Sequence, residues 1–206
     1  YIYYCHKSCC WFYFALLDIL KKLLKYIFIK LDRIVFKSIM GLAYPRFQNL
    51  YEIDVYYFQL FKRYFFFQKI LRINGSVPWP VDFRSQIINW KMIEKDKSSY
   101  PGGSIGCYIN ASGGLKLGSN IIIGPNTIIA TTNHAQDDHT KIGKSKGVTI
   151  GNNVWIGANC SIVPGAHIGD GVTIGAGCNI SGEVPNNVVV KRANSAQETY
   201  PKKGNG

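Results

Sequence analysis

Two of the chain's four histidines, His134 and His139, stand five residues apart in a polar run with Asn133, Asp137 and Asp138. An imidazole in such company can act as a general base toward a hydroxyl, a role that typically contributes ~10²–10⁴-fold in rate. Two imidazoles at that spacing could also share a metal ion. The other two histidines, His6 and His167, lie far away in the sequence. The six cysteines include no CxxC pair of metal-binding type, and no cysteine or serine sits where a base would activate it. The residues point to a positioned base rather than a covalent nucleophile, and no metal site is expected.

What positions these side chains is a repeat of six. Aliphatic residues recur as Leu117, Ile123 and Ile129, and again from Ile150 through Ile156, Ile162, Ile168 and Ile174 to Ile180. Ile105 and Ala111 extend the series toward the N-terminus. The following residue is small at nearly every step, and three positions on, at eight of eleven steps, stands Gly or Asn: Gly114, Asn120, Asn126, Asn153, Asn159, Gly165, Gly171 and Gly177. Gly and Asn share inexpensive access to left-handed backbone, so a turn is expected every six residues. Three turns close a triangular coil, and stacked coils pair as parallel strands. The fold class expected is therefore all-β, a parallel β-helix of hexapeptide repeats over residues 104–190. Cys160 and Cys178, eighteen residues apart, should stack inside it as small buried hydrophobes. The series breaks between Ile129 and Ile150, so residues 130–149 must leave the column as a loop, carrying His134 and His139 with them.

The front of the chain is different. Residues 1–75 hold 12 of the 24 Lys+Arg but only 4 of the 12 Asp+Glu, with 21 of the 28 aromatic residues. Residues 11–40 show helical spacing, with Asp18, Lys21, Lys22, Lys25, Asp32 and Arg33 on one face and Leu16, Leu20, Leu23, Leu24, Ile27 and Leu31 on the other. The longest charge-free stretch, Ser8 to Leu17, is too short to span a bilayer. An α-helical, basic-aromatic extension lying in a membrane interface is the expectation, with Trp11, Phe12, Phe14 and Phe28 inserted and contact extending over residues 11–72. The alternative is a helix packed on the rest of the chain or on another subunit. Met40 could serve as an initiator, which would leave residues 1–39 outside the fold. Residues 76–103 form a lead-in and 191–206 a polar tail. The aromatics stand in blocks rather than alternating with basic residues, so nucleic acid is not an expected partner.

Several stretches resemble the left-handed β-helix (hexapeptide-repeat) acyltransferases, in particular their polysaccharide-cluster O-acetyltransferase branch. They are Val77 to Val81, Pro101 to Asn110, Ile123 to Asn126, Thr131 to His134 and Val148 to Ala158, continuing through Ile162 to Gly165 and Ile174 to Gly177. The resemblance implies a left-handed column, a homotrimer, and acetyl-CoA as co-substrate in the groove between neighbouring columns. His134 would be the catalytic base, with Asn133, Asp137 and His139 as supporting or alternative residues. Trp155, Gly157, Ala158, Gly175 and Ala176 would contact the cofactor, with backbone N–H groups near Gly157 and Ala158 as oxyanion donors. Asn110 would meet the acceptor, a sugar or glycan hydroxyl. The Gly-Asn-Pro turn that usually closes the family fold is missing, so Lys191 and Arg192 are the substitutes expected near the CoA 3′-phosphate. A cytoplasmic location is implied, peripheral on the membrane's cytoplasmic face. Two alternatives stand beside this reading. One is a non-catalytic trimeric scaffold; the other is a zinc hydratase of the γ-carbonic anhydrase kind, whose third histidine is missing between His6 and His134.

Overall fold

The computed structural model describes residues 2–48, 56–143, 145–192 and 197–201. Its core is a left-handed parallel β-helix. Fifteen short strands build three five-stranded sheets, one per face of a triangular column. The first face contains β1 (Gln86–Ile88), β3 (Tyr108–Asn110), β6 (Ile128–Ala130), β9 (Ser161–Ile162) and β12 (Asn179–Ile180). The second contains β2 (Ile93–Lys95), β4 (Leu115–Leu117), β7 (Val148–Ile150), β10 (His167–Ile168) and β13 (Glu183–Val184). The third contains β5 (Ile122–Ile123), β8 (Trp155–Ile156), β11 (Thr173–Ile174), β14 (Val188–Arg192) and β15 (Gln197–Pro201), the last pairing antiparallel to β14.

All eight Gly and Asn residues singled out by the repeat have positive φ, from Asn120 at 53° to Gly114 at 93°. The turns are thus set by backbone that other residues enter only at a cost. At the corner between the second and third faces, Asn120 Nδ2 donates to Asn153 Oδ1 at 2.9 Å. Alongside runs a ladder of side-chain oxygens: Asn152 Oδ1 accepts from the Ser119 N–H, Asp170 Oδ1 from Asn152 and Asn186 Oδ1 from Asp170. Replacing Asn153 with valine is expected to cost roughly 1–2 kcal/mol for the left-handed β-branched residue, read as a lower denaturation midpoint. An unchanged midpoint would mean that this corner does not constrain the coil.

The small residue that follows each inward aliphatic answers a steric demand. A Cβ added to Gly124 would lie 2.6 Å from the Ala158 backbone nitrogen, and one added to Gly157 would lie 2.6 Å from that of Ala176. Adjacent coils approach too closely there for any side chain. Ile109, Ile129, Ile162 and Ile180 stack in register on the first face, and Leu117, Ile150 and Ile168 on the second, all buried. Cys160 and Cys178 point into the same core as free thiols whose pKa is raised by burial.

The register departs from strict sixes near the base of the column. Ile105 is 38% exposed rather than inward, because Cys107 takes the core position and Ile109 pairs with Ile129. Ala111 is buried, but it lies beyond Ile109 in a lengthened corner instead of filling a hexad step. The column also starts earlier than residue 104, since β1 and β2 from the expected lead-in form two sides of its first coil. Nor is the end of the chain only a tail, because residues 197–201 return as β15.

Val77, Trp79 and Val81 plug the base of the column, where the fully buried Trp79 donates from its indole nitrogen to the Pro101 carbonyl at 2.9 Å. Lys95 sits over the Trp79 ring and donates to the Arg46 carbonyl, and burial pushes its pKa down to about 8. The N-terminal unit comprises α1 (Ile2–Leu31), a π-wound continuation (Asp32–Phe36), α2 (Lys37–Ala43), and α3 (Tyr57–Leu60) running into a second π-wound stretch (Phe61–Ile70). Met40, Tyr44, Tyr57, Leu60 and Tyr64 form its own core. The buried carboxylate of Asp32 accepts from the Tyr57 and Phe58 N–H groups at 2.9 and 2.7 Å, capping α3 from afar. Residues just ahead of Met40 are thus part of the packed unit. The side chains of Trp11 and Phe12 lie outside the described residues, whereas Phe14 is exposed.

Candidate active site

The corner between the first and second faces takes up most of the variation in coil length. It runs from Ile109 to Leu115 in the second coil, from Ile129 to Val148 in the third and from Ile162 to Ala166 in the fourth. The third-coil passage is the excursion, and β6 and β7 bound it tightly, so residues 131–147 lie outside the strands. Thr131 anchors its exit. The buried Thr131 hydroxyl donates to the Asn110 carbonyl and accepts from the Gly113 N–H, tying the loop root to the coil below.

Inside the loop, His134 forms an isolated antiparallel bridge with Ile142, and the Gly143 N–H donates to the Asn133 carbonyl at 2.8 Å. The loop is thereby a short, pinned hairpin. Asp138, not Asp137, organises its tip: its carboxylate accepts from the Thr140 N–H and hydroxyl and pairs with Lys141 at 3.0 Å. Those contacts, led by the Thr140 hydroxyl, hold the Asp138 pKa below the ordinary carboxylate value. Nothing in the sequence distinguished Asp138 from its neighbour, since only the turn to Thr140 selects it. Asn133, His134, Asp137 and His139 all have exposed side chains. Among the described residues, none forms a side-chain hydrogen bond or ion pair with the His134 imidazole, so neither Asp137 nor His139 orients it within one chain.

Asn110 lies at this same corner, paired in register with Ala130 at the loop root. Its side-chain oxygen accepts from the N–H and hydroxyl of Ser112 at 3.0 and 2.6 Å, which occupies it in a turn.

The other expected residues gather at a different corner, where the third face turns into the first. Gly157 and Ala158 stack there beneath Gly175 and Ala176. The Gly157 N–H donates to the Ile174 carbonyl at 2.8 Å and is consumed by the ladder between coils, so it is not free to act as an oxyanion donor. The N–H groups of Ala158 and Ala176 meet no acceptor among the described residues. Trp155 points outward at 56% exposure, between Ile122 and Thr173 in register on the third face. Lys191 pairs in register with Glu198 on β15. Arg192, one residue on, reaches this corner instead: a Cβ at Gly177 would lie 3.6 Å from its guanidinium. Lys191 and Arg192 are both exposed, and the guanidinium of Arg192 is the one found against Gly177.

Within one chain the imidazole and the small-residue corner are therefore held at opposite edges of the first face. Among the described residues, no three His, Cys, Asp or Glu side chains converge as a metal site would require.

Residues 147–182 match the family described as bacterial transferase hexapeptide (six repeats). The chain is 43% identical over 78 residues to the galactoside O-acetyltransferase of Escherichia coli (strain K12), a match covering 36% of this chain and 38% of that protein. It is 40% identical over 76 residues to the galactoside O-acetyltransferase of Lactococcus lactis subsp. lactis (strain IL1403), covering 35% and 37%. The chain thus spans less than two fifths of the length of these curated relatives. A solved galactoside acetyltransferase in complex with coenzyme A aligns at a TM-score of 0.42 and 26% identity, over 58% of this chain and 62% of that one.

Proposed function

We propose that this hexapeptide-repeat protein is an acetyl-CoA-dependent O-acetyltransferase that acts on a sugar or polysaccharide hydroxyl as a homotrimer. One observation carries the reading. The column's main interruption presents an imidazole with no partner among the described residues at one edge of the first face, while the stacked Ala158 and Ala176 N–H groups lie at the other. Two copies set side by side bring one chain's His134 loop to the other chain's small-residue corner. The similarity to two galactoside O-acetyltransferases supports the acetyl donor and the sugar acceptor.

Seated between two columns, the acceptor hydroxyl gives its proton to the His134 imidazole as its oxygen attacks the thioester carbonyl. The negative charge that develops on the carbonyl oxygen is met by backbone N–H groups at the Ala158–Ala176 corner, which cost no reorganisation because the coils hold them rigidly. Collapse of the tetrahedral species breaks the C–S bond. The departing thiolate takes the proton back from the imidazolium, leaving CoA and an O-acetyl ester. No residue is acetylated on the way, in keeping with the burial of Cys107, Cys160 and Cys178.

At the same corner Arg192 is the cation placed to meet the CoA phosphates, with Trp155 beside the channel. Arg192→Ala is expected to raise the KM for acetyl-CoA about tenfold with kcat little changed, and Lys191→Ala to have a much smaller effect. The reverse order would move the phosphate site onto Lys191. The reading as a whole is tested by incubating the chain with acetyl-CoA and a panel of sugars and glycans, with thiol release and mass spectrometry as readouts. Acetylated product with stoichiometric CoA supports it. Failure of isothermal titration to detect acetyl-CoA binding would leave a trimeric scaffold.

A further inference from the structure

Helix α1 with its π-wound continuation is two-faced, and among the described residues its apolar side is exposed. Leu20, Leu23, Leu24, Ile27, Leu31 and Ile34 line that side at 50–68% exposure. Lys21, Lys22, Lys25 and Arg33 occupy the other side with Asp18, which Lys22 neutralises at 2.7 Å. A contiguous exposed apolar surface of this kind marks a binding face. Among the described residues the helix is tied to the rest of the molecule near its C-terminal end, through the Asp32 cap on α3 and edge-on contacts of Phe28 with Tyr56 and Phe58 at ring-centroid distances of 5.4 and 6.1 Å.

We infer that α1 docks on the surface of an anionic phospholipid bilayer, lying along the interface with its leucine face among the acyl chains and its lysines toward the headgroups. Charge complementarity selects this occupant. The polar face is basic, and the aromatic stretch that follows adds the exposed Lys62 and Arg72 with Phe66 and Ile70 exposed. A second copy seated on the leucine face would leave both basic faces turned to solvent with no anionic partner. The apolar side is also broader than the narrow seam by which two helices zip together. Among the described residues no helix is long and apolar enough to cross a membrane, so the helix lies on the bilayer rather than through it. The inference does not depend on the acyltransferase reading.

The test is co-sedimentation of the full chain with phosphatidylcholine vesicles and with vesicles containing phosphatidylglycerol. The chain is expected to pellet with the anionic vesicles and to be released by salt. Leu23→Gln with Ile27→Gln should lower the partition coefficient at least tenfold, and Lys21→Glu with Lys22→Glu and Lys25→Glu about a hundredfold, roughly fivefold per basic residue lost. All five side chains are exposed, so both variants should keep the wild-type circular dichroism spectrum. They should also keep any acetyl transfer to a soluble sugar, which separates this test from that of the catalytic reading. Binding to neither vesicle, or binding that both variants leave unchanged, would overturn the inference. So would a Leu23→Gln, Ile27→Gln variant that splits an oligomer in vesicle-free solution, because the face would then belong to a second copy.

Discussion

Replacing His134 with alanine is expected to lower acetyl transfer by about 10²–10⁴-fold while acetyl-CoA binding stays near the wild-type value. The split follows from the geometry. The imidazole sits on a pinned hairpin at one edge of the first face, and the residues read as holding CoA sit at the other edge of their own chain. Removing the base from the loop leaves the cofactor corner intact. The backbone of residue 134 bridges Ile142, and alanine preserves that bridge, so the loop should keep its shape. His139→Ala is the matching control and should retain most of the activity. Activity that survives His134→Ala but falls with His139→Ala would move the base to His139. A sharper consequence concerns mixtures. If each site draws its base from one chain and its cofactor corner from the next, mixing His134→Ala chains with Arg192→Ala chains should regain part of the activity that either lacks at low acetyl-CoA. No gain on mixing would place both halves of the site in one chain.

The column was legible because its turns demand a backbone conformation that only two residue types supply cheaply, and all eight Gly and Asn residues at that position adopt it. Strict counting failed where the corner between the first and second faces is longer, so Ile105 faces solvent and Cys107 takes its expected place. A hexad count assumes that all three corners are equal, and this corner is free to vary because nothing inside the prism depends on its length. The same freedom lets the excursion exist. The loop's position could thus be read from the break in period, whereas its internal order, with Asp138 at the tip, depends on a local turn that composition does not reveal. Gly157 shows a different limit. Its small size was visible, but the reason for it, the close approach of the Ala176 backbone, requires the stacking of coils. That stacking also consumes its N–H, whereas those of Ala158 and Ala176 meet no acceptor among the described residues.

Beside the Arg63–Asp82 pair and the Tyr64 hydroxyl on the Gly103 carbonyl, the N-terminal unit is coupled to the column by a buried side chain that no sequence pattern announces. Gln68 is fully buried in the aromatic π-wound stretch. Its amide nitrogen donates to the carbonyls of Asn74, Val77 and Trp79 at 3.1, 3.1 and 2.9 Å, two hydrogens shared among three acceptors, and its oxygen accepts from the Val81 N–H at 3.0 Å. The segment it holds contains the plug whose Trp79 closes the base of the prism. Replacing Gln68 with methionine keeps the volume but strands one N–H and up to three carbonyls out of reach of water. At about 1–3 kcal/mol per buried orphan, partly relieved as the segment relaxes, the expected loss is about 4 kcal/mol, large enough to be diagnostic of a broken buried network. It should appear as a marked drop in the urea midpoint, with Trp79 fluorescence shifting to the red as the plug loosens. Because the cofactor corner and the His134 loop lie farther along the column, acetyl transfer at low temperature should survive in the fraction that remains folded. A Gln68→Met variant with an unshifted midpoint would mean that the apolar contacts of Val77, Trp79 and Val81 alone seat the plug, and that the amide merely follows them.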